Sequence, residues 1–208
     1  MKRLQKIEKF SVLLESLVSD QVDVFVMFAD LCNSTQYKRL CEEKGSPDYL
    51  WVSRQLIFLQ RAAKLVKEFH GSVVKTIGDE LMVIFPSSIS SDKVLECGFK
   101  ILSSYENLRS YQNESEIEVK VSIDFGPTYN GTVITDIIYD PIGKCVDRCA
   151  RLNNEASVNQ VVISEDFYNI VEKLLNSKKF KKKFLCKEES SKLKGFGQTR
   201  FYRLIAKK

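Results

Sequence analysis

Residues 22–35 have the sequence VDVFVMFADLCNST, and this stretch decides the fold. Its first part, 22–29, is a largely apolar run rich in strand-forming side chains, and it ends at the carboxylate of Asp30. Ser34 and Thr35 follow, and residues of these types commonly start a helix. The stretch therefore predicts a strand, an acidic residue at the end of that strand and the N-terminus of a helix directly after it.

A second stretch, 73–80, has the sequence VVKTIGDE. Apolar segments flank Gly78 and Asp79, which form a hairpin-type turn signal that places Asp79 at a strand end. Two acids at adjacent strand ends, beside the unpaired N–H groups of a helix N-terminus, are suited to bind a divalent metal ion and a triphosphate. We therefore predict such a site around Asp30 and Asp79.

The composition favours one globular domain. The chain has 208 residues, of which 44% are hydrophobic, so it can bury a well-formed core. Its net charge is +5, and much of the positive excess lies in 178–183 and 207–208. We expect these lysines to form a solvated basic tail, although mild basicity would also suit nucleic acid or another polyanion.

The cysteines and the apolar runs predict a cytoplasmic protein. Six cysteines occur without a C-x-x-C pair or a recognisable disulfide spacing, and no signal peptide precedes them. We therefore expect reduced thiols. The longest apolar runs fall well short of the roughly 18 residues that cross a bilayer, so no stable membrane insertion is expected.

The order of predicted elements indicates the fold class. Residues 1–20 are predicted to form an amphipathic helix, because apolar side chains recur there at three- and four-residue spacing, and 21–208 to form one domain that ends in a β-hairpin. The predicted elements of that domain are strands at 22–29, 117–123, 132–138 and 160–163, a strand–turn–strand unit at 72–85, helices at 35–44, 48–69, 93–111, 144–156 and 165–176, turns at 126–127 and 130–131, and the hairpin turn at 195–197. Strand, helix, hairpin, helix, strand is the ferredoxin-like βαββαβ arrangement. We expect an α/β (α+β) fold with a mixed, mainly antiparallel sheet, one face of which is covered by helices.

Four motifs occur together in the order and spacing of a known family. They are FADLCNST at 28–35, KTIGDE at 75–80, the GP and NG pairs within 126–131, and YDPIGKCVDRCARL at 139–152. They resemble the class III nucleotide cyclase domain over roughly residues 22–165. The resemblance implies conversion of a nucleoside triphosphate to a 3′,5′-cyclic monophosphate and pyrophosphate. It also implies a homodimer in which two subunits meet head to tail and form composite active sites, with 21–208 as the catalytic domain.

The resemblance also implies roles for individual residues. Asp30 and Asp79 match the metal-binding aspartates, and with Leu31 they would hold two divalent cations per site, Mg²⁺ or Mn²⁺. Lys75 and Asp140 match the pair that recognises the base. The other expected substrate contacts lie at the helix start and are Asn33, Ser34 and Thr35.

Arg151 matches the arginine that stabilises the transition state, and a cationic fork suits the charge that grows on the phosphoryl oxygens. Its alternative role is a surface charge that pairs with Asp147, four residues earlier on the same helix face. Asp147 stands where the family usually has asparagine, and we count it with the catalytic residues. An ionised aspartate cannot donate a hydrogen bond to the ribose, so the exchange predicts altered ribose positioning, use of an additional metal or reduced activity.

The base is less clearly specified by the sequence. Lys75 and Asp140 resemble the pair of adenylate-forming members, because Lys75 can donate to adenine N1 and Asp140 can accept from its amino group. Uracil also offers an acceptor, O4, beside its N3–H donor, so the size of the pocket must decide. Tyr37 is bulky enough to narrow a base site or stack within it if it faces inward; otherwise it is a tyrosine on the helix surface.

Small cyclases of this kind resemble the bacterial pyrimidine cyclases of the Pycsar anti-phage systems, which make cyclic UMP or cyclic CMP to trigger a separate effector. We therefore favour UTP or CTP as the substrate, with ATP as the alternative. A downstream cyclic-nucleotide-binding effector is the expected partner.

Two other functions fit parts of the sequence. A cyclase fold with Asp147 could be a regulatory domain that binds nucleotide and turns it over poorly. A nucleic-acid-binding ferredoxin-like module would use the basic tail, but its usual platform of exposed aromatic residues is not apparent. Phe25, Phe28 and Phe85 lie in apolar runs and are expected in the core, so we expect no nucleic-acid partner.

Overall fold

The structure is a computed structural model that describes residues 21–106, 116–130 and 139–207. Four predicted elements lie wholly or partly outside these ranges: helix 1–20, the end of helix 93–111, the turn at 130–131 and strand 132–138. The helices are α1 Ser34–Glu43, α2 Tyr49–Glu68, α3 Ser91–Ser103, α4 Lys144–Glu155, α5 Glu165–Leu175 and α6 Lys178–Lys183. The strands are β1 Val22–Leu31, β2 Ser72–Ile77, β3 Glu80–Pro86, β4 Val119–Asn130, β5 Pro141–Ile142, β6 Gln160–Ser164, β7 Phe184–Leu193 and β8 Gly197–Ala206.

The strands form one sheet in the order β2-β3-β1-β4-β6-β8-β7, and β5 pairs with β4. Neighbouring strands are antiparallel except β4 and β6, which run parallel. The predicted mixed, mainly antiparallel sheet is therefore confirmed. Within the described ranges, no helix has the length and apolar content that a bilayer crossing requires.

Both faces of the central strand β1 are buried. Phe25 and Met27 point into the main core, which is formed with α2, α3 and α5. Val26 and Phe28 point to the opposite face and pack against α4. Because both faces are covered, β1 is a continuous apolar run instead of an alternating one. Phe85 on β3 is also buried, so the aromatic residues expected in the core are found there.

The turn predicted at Gly126 and Pro127 is wrong, because β4 continues through both residues and pairs them with the start of β1. A proline cannot donate a hydrogen bond to a neighbouring strand. On the β6 side this is tolerated, because β6 pairs with β4 only at 121–123 and does not reach Pro127. Gly126 is required for a different reason. A Cβ at this position would lie 3.2 Å from the Cβ of Cys145, so glycine allows α4 to approach the strand closely.

The helix predicted at 93–111 starts and ends earlier than expected, at Ser91 and Ser103. The hydroxyl of Ser104 donates to the carbonyl of Ile101 at 2.8 Å, and the hydroxyl of Ser103 approaches the carbonyl of Lys100 at 3.3 Å. Serine side chains compete in this way with helical backbone hydrogen bonds. The apolar periodicity of the helix continues past this point, which is why the prediction overran.

The prediction that the lysines of 178–183 and 207–208 form a solvated tail is also wrong. The hairpin predicted between them, with its turn at 195–197, is confirmed. α6 carries exposed lysines, but Phe180 between them is buried, and β8 pairs with both β7 and β6. The backbone N–H of Lys207 donates to the carbonyl of Lys183 at 2.8 Å. The segment is therefore an integral part of the sheet.

Gly71 joins α2 to β2 and faces the ring of Phe85. A Cβ at Gly71 would lie 2.5 Å from Cε1 of that buried ring. We expect Gly71→Ala to lower the free energy of unfolding by about 1–3 kcal/mol, because the ring must move within a packed core. Urea denaturation followed by circular dichroism measures the change. The exposed neighbour offers a matched control, Ser72→Ala, which should stay within about 0.5 kcal/mol. An unchanged midpoint for Gly71→Ala would contradict the packing argument.

Candidate active site

A cavity of about 570 Å³ opens where β1 ends and α1 begins. Asp30 and Asp79 both line it, although they are far apart in the sequence. The predicted triphosphate contacts at the start of α1 line the same cavity. The predicted site residues that the structure brings together here are Asp30, Leu31, Asn33, Ser34, Thr35 and Asp79.

Asp30 lies in a row of charged residues that crosses three strands. In the strand register it is paired with Glu80 on β3 and with Lys120 on β4. The Nζ atom of Lys120 lies 3.2 Å from Oδ2 of Asp30. Neither neighbour was predicted from the sequence. Glu80 directly follows Asp79, which was a usable signal, but only the strand register shows that Lys120 is opposite Asp30.

The carboxyl groups at the cavity are crowded. Burial raises the pKa of Asp30, the charge of Asp79 acts in the same direction, and Lys120 opposes both. Burial raises the pKa of Glu80 to about 7, and the charges of Asp30 and Asp79 add to this rise. Burial therefore disfavours the charged forms of both carboxyl groups, and a bound cation would oppose this rise in their pKa values.

The start of α1 is held by an unusual backbone conformation. Asn33 precedes the helix with φ 59°, in the left-handed region that asparagine tolerates better than most residues. Its side chain does not cap the helix; Nδ2 donates to Glu118 on the segment before β4, at 3.1 Å. The first N–H groups of a helix have no intrahelical acceptor, so those of α1 face the cavity as potential anion donors.

Lys75 and Asp140 are brought together as predicted, but away from this cavity. The Nζ atom of Lys75 on β2 lies 2.8 Å from both carboxylate oxygens of Asp140, which directly precedes β5. Both side chains are partly buried. Neither residue is among those that line the 570 Å³ cavity. A hydrogen-bond donor and an acceptor therefore lie side by side on a separate part of the chain.

Asp147 and Arg151 lie on the exposed side of α4. Cys145 and Cys149 occupy the opposite, buried side of the helix and pack on β1. Among the ion pairs of the described residues, none joins Asp147 to Arg151, so the alternative role of Arg151 as a surface ion-pair partner is not supported. Neither residue lines the cavity at Asp30.

The structure decides one of the two alternatives for Tyr37, the position on the helix surface, which is wrong. It is buried between α1 and α2 with Cys41 and Leu50, so it is not a surface tyrosine. The guanidinium of Arg54 stacks over its ring at 5.0 Å from the centroid. Tyr37 lines a second cavity, of about 380 Å³, which shares Asn33 with the 570 Å³ cavity at Asp30.

Comparison with known families decides what this arrangement is. A family model described as the adenylate and guanylate cyclase catalytic domain matches residues 18–206. The chain belongs to this family. It is therefore a class III nucleotide cyclase domain, as the motifs indicated. No curated protein sequence matches this cyclase significantly.

Three solved structures show how widely the cyclase fold is shared. The guanylate cyclase domain of RhGC from Catenaria anguillulae, in complex with GTP, is 18% identical with a TM-score of 0.72, over 90% of this chain and 99% of that chain. The adenylyl cyclase CyaB from P. aeruginosa is 16% identical with a TM-score of 0.70, over 90% of this chain and 96% of that chain. A structure of the adenylate cyclases from Trypanosoma brucei in their monomeric state is 17% identical with a TM-score of 0.69, over 88% of this chain and 89% of that chain. At these identities the likeness establishes the fold and leaves the base open.

The cavity of the cyclase fits a divalent cation, the kind of ion that class III cyclases generally use. Asp30 and Asp79 offer hard carboxylate oxygens, and Leu31 can offer only its backbone carbonyl. Within the described ranges, no three acidic, histidine or cysteine side chains converge on one point. Water and phosphate oxygens would therefore complete the coordination, which is usual for Mg²⁺.

Proposed function

We propose that two copies of this cyclase meet head to tail and complete two active sites between them. The separation of the site residues within one protomer carries the proposal. Asp30 and Asp79 line one cavity, whereas Arg151 projects from the exposed side of α4 and the Lys75–Asp140 pair lies elsewhere. One protomer thus presents two incomplete half-sites, and a second copy in a two-fold arrangement can complete both.

Each half-site has its own task in the proposed reaction. The start of α1 holds the triphosphate, while the second copy supplies Lys75 and Asp140 to the base and Arg151 to the α-phosphate. The ribose 3′-oxygen loses its proton and attacks the α-phosphorus, and the bond from that phosphorus to the pyrophosphate oxygen breaks. The Arg151 guanidinium stabilises the charge that grows on the phosphoryl oxygens. Bound divalent cations, two per site in our proposal and either Mg²⁺ or Mn²⁺, supply activation of the 3′-hydroxyl and charge neutralisation of pyrophosphate.

Asp147 lies one helical turn before Arg151 on the exposed side of α4. We propose that it accepts a hydrogen bond from a ribose hydroxyl, where an asparagine could also donate one. The alternative is that the exchange reduces turnover and leaves a regulatory domain that binds nucleotide without cyclising it. The two roles differ in whether product forms.

We further propose a pyrimidine nucleotide, UTP or CTP, as the substrate. Lys75 and Asp140 place a donor beside an acceptor. Uracil presents O4 beside N3–H, and cytosine presents N3 beside its amino group, so both complement the pair. Adenine N1 and its amino group complement it equally, so ATP is the alternative. Tyr37 does not line the 570 Å³ cavity at Asp30, so it supplies no argument about the size of the base. The pyrimidine choice is supported by the resemblance to Pycsar cyclases.

The substrate is tested by incubating the purified protein separately with ATP, GTP, CTP and UTP in the presence of Mn²⁺. We expect cyclic UMP or cyclic CMP as the main product. Exclusive formation of cyclic AMP would replace the pyrimidine proposal with the adenylate cyclase alternative. Nucleotide binding without product, under every combination of nucleotide and metal, would favour the regulatory domain.

Lys75→Met tests the base contact. We expect the KM of the preferred nucleotide to rise about 10- to 100-fold, because a charge-assisted hydrogen bond to the base contributes about 1.5–3 kcal/mol. Steady-state kinetics with the preferred nucleotide measures the change. Lys64→Met replaces an exposed lysine on α2 and should leave KM unaltered. Equal KM values for wild type and Lys75→Met would remove Lys75 from the base site.

We propose that the product is a second messenger in anti-phage defence, made in the cytoplasm and read by a separate cyclic-nucleotide-binding effector. The resemblance to Pycsar cyclases supports this role, and the six free cysteines suit a reducing compartment. Mass spectrometry of extracts from cells that carry the protein tests it. The cyclic pyrimidine nucleotide should accumulate after phage infection, and an unchanged level would contradict the proposal.

A further inference from the structure

An ion-pair network that has no role in the proposed mechanism lies beneath α4. Its arginine, Arg148, falls within the 139–152 motif, but the resemblance implies no role for it. The centre of the network is Asp124 on β4, a fully buried carboxylate on the side of the sheet that α4 covers. Asp124 accepts a hydrogen bond from the backbone N–H of Phe125 at 2.7 Å and one from the hydroxyl of Ser164 at 2.5 Å. Ser164 in turn caps α5 by accepting from the N–H of Phe167. The carboxylate is therefore held rigidly by β4 and by the junction of β6 and α5.

Arg148 on α4 binds this fixed carboxylate with two parallel hydrogen bonds. Its Nε donates to Oδ2 of Asp124 at 2.7 Å and its Nη2 to Oδ1 at 2.8 Å. Nη2 also bonds to Asp166 in the first turn of α5. Burial raises the pKa of Asp124, and the bonds from Arg148 oppose that rise. A bidentate guanidinium–carboxylate pair restrains direction as well as distance, which a single bond does not.

The position of Arg148 along α4 determines which motion of the helix its pair with Asp124 restrains. Arg148 directly follows Asp147 and precedes Arg151 by three residues, so it lies at the border between the buried and exposed sides of the helix. On the buried side, the hydroxyl of Ser122 donates to the carbonyl of Cys149 at 2.8 Å, and the thiol of Cys149 donates to the carbonyl of Val26 at 3.4 Å. These bonds restrain the middle of the buried side. The two bonds to Asp124 restrain the side of the helix nearest to Arg151, since both require the guanidinium plane to stay aligned with the carboxylate.

We propose that Arg148, through its bidentate pair with Asp124, is a positioning residue that sets the rotation of α4 and so aims Arg151 at the site completed by the second copy. This inference rests on the proposed function, because it assumes that Arg151 acts on the substrate. A displacement of a catalytic group by about 1 Å can lower turnover by about a hundredfold. Arg148 itself touches no substrate; it acts through Arg151.

Arg148→Lys tests the proposal, because lysine keeps the charge but cannot form the planar two-bond contact. We expect kcat to fall about ten- to hundredfold, with KM and the dimer fraction unchanged. The matched control is Arg203→Lys on β8. Arg203 forms a comparable bidentate pair with Glu189 on β7, with Nε and Nη2 donating at 3.0 and 2.8 Å, but it lies outside α4. Arg203→Lys should change thermal stability without changing kcat.

A double-mutant cycle with Arg151→Ala separates positioning from a merely structural role. In the Arg151→Ala background, Arg148→Lys should lower the residual turnover less than twofold, because the group that it positions is absent. An equal loss in both backgrounds, or a loss of kcat in Arg203→Lys as large as in Arg148→Lys, would overturn the inference. Unchanged turnover in Arg148→Lys alone would also overturn it.

Two further results keep the outcomes distinct. If Arg148→Lys does not fold, Asp166→Asn replaces it in the same cycle, since it removes only the outer partner of Arg148. We expect a smaller loss of kcat with the same dependence on Arg151, and no such dependence would count against positioning. If Arg151→Ala alone leaves turnover unaltered, the proposed function fails. A large loss in Arg151→Ala with no effect of Arg148→Lys leaves that function intact and rejects only the present inference.

Discussion

Arg151→Ala should lower kcat about a thousandfold while leaving KM within a few-fold of wild type, a loss of about 4 kcal/mol of transition-state stabilisation. In the proposed mechanism, the arginine meets charge that develops only as the 3′-oxygen attacks the α-phosphorus. An interaction absent from the ground state affects turnover and not binding. The measurement is steady-state formation of the cyclic nucleotide at saturating metal.

Arg200→Ala is the matched control for this variant. Arg200 is an exposed arginine on β8 that pairs with Glu165 and Glu188, so it shares the charge and exposure of Arg151 without lying on α4. Its removal should leave kcat unchanged. A rise in KM with constant kcat in Arg151→Ala would contradict the transition-state role and indicate an ordinary contact to the substrate.

Asp79→Asn should reduce turnover by about a thousandfold or more and weaken Mn²⁺ binding, because one of the two proposed carboxylate ligands becomes a neutral amide. Asparagine has nearly the same shape, so the hairpin that carries residue 79 is expected to stay folded. Electron paramagnetic resonance of free Mn²⁺ reports binding independently of product formation. Asp79 is the better choice than Asp30, because Lys120 would be left in the cavity without its carboxylate partner in Asp30→Asn.

The control for Asp79→Asn is Asp23→Asn. Asp23 lies at the opposite end of β1 and is exposed, so its replacement should change neither Mn²⁺ binding nor turnover. Normal Mn²⁺ affinity in Asp79→Asn, with activity lost, would show that the carboxylate serves a task other than binding the cation.

These two variants together test the composite site. Asp79→Asn and Arg151→Ala affect different half-sites, so an equal mixture that exchanges subunits should regain about a quarter of wild-type activity, since half of the dimers then hold one intact site out of two. Each variant alone should keep only about a thousandth of wild-type activity. Failure of the mixture to recover, with exchange demonstrated by mass spectrometry, would place all of the functional residues in one protomer and reject the head-to-tail arrangement.

Long-range placement was predicted correctly where a motif carried the information. Lys75 and Asp140 are 65 residues apart and lie in direct contact, as their match to a known pair implied. Asp30 and Asp79 line one cavity for the same reason. Glu80 and Lys120 were missed, because their closeness to Asp30 depends on strand register. The hydrophobic pattern indicates which face of a strand is buried, but it does not by itself identify the residue opposite Asp30.

Buried polar contacts were the least predictable features. Nothing in the composition of 121–127 indicates that Asp124 is fully buried or that Arg148 pairs with it, since charged residues are expected at the surface unless a partner is known. The lysines of α6 misled in the opposite direction. Their side chains are solvated, as expected for a basic run, yet the segment is held by Phe180 and by pairing of the adjacent strands.

Local pattern was sufficient for the strand that ends at Asp30, the helix that follows it, the hairpin at Asp79 and the cyclase family. Each of these depends on residues close together in the chain or on motifs in the order and spacing of that family. Packing alone decided that Tyr37 is enclosed beside Arg54, that Asp124 pairs with Arg148 beneath α4, and that Arg151 is exposed on that helix. Those outcomes depend on how the helices pack on a sheet whose strands come from distant parts of the chain. The free energy of that packing is determined by many contacts at once, so no single stretch of sequence predicts it.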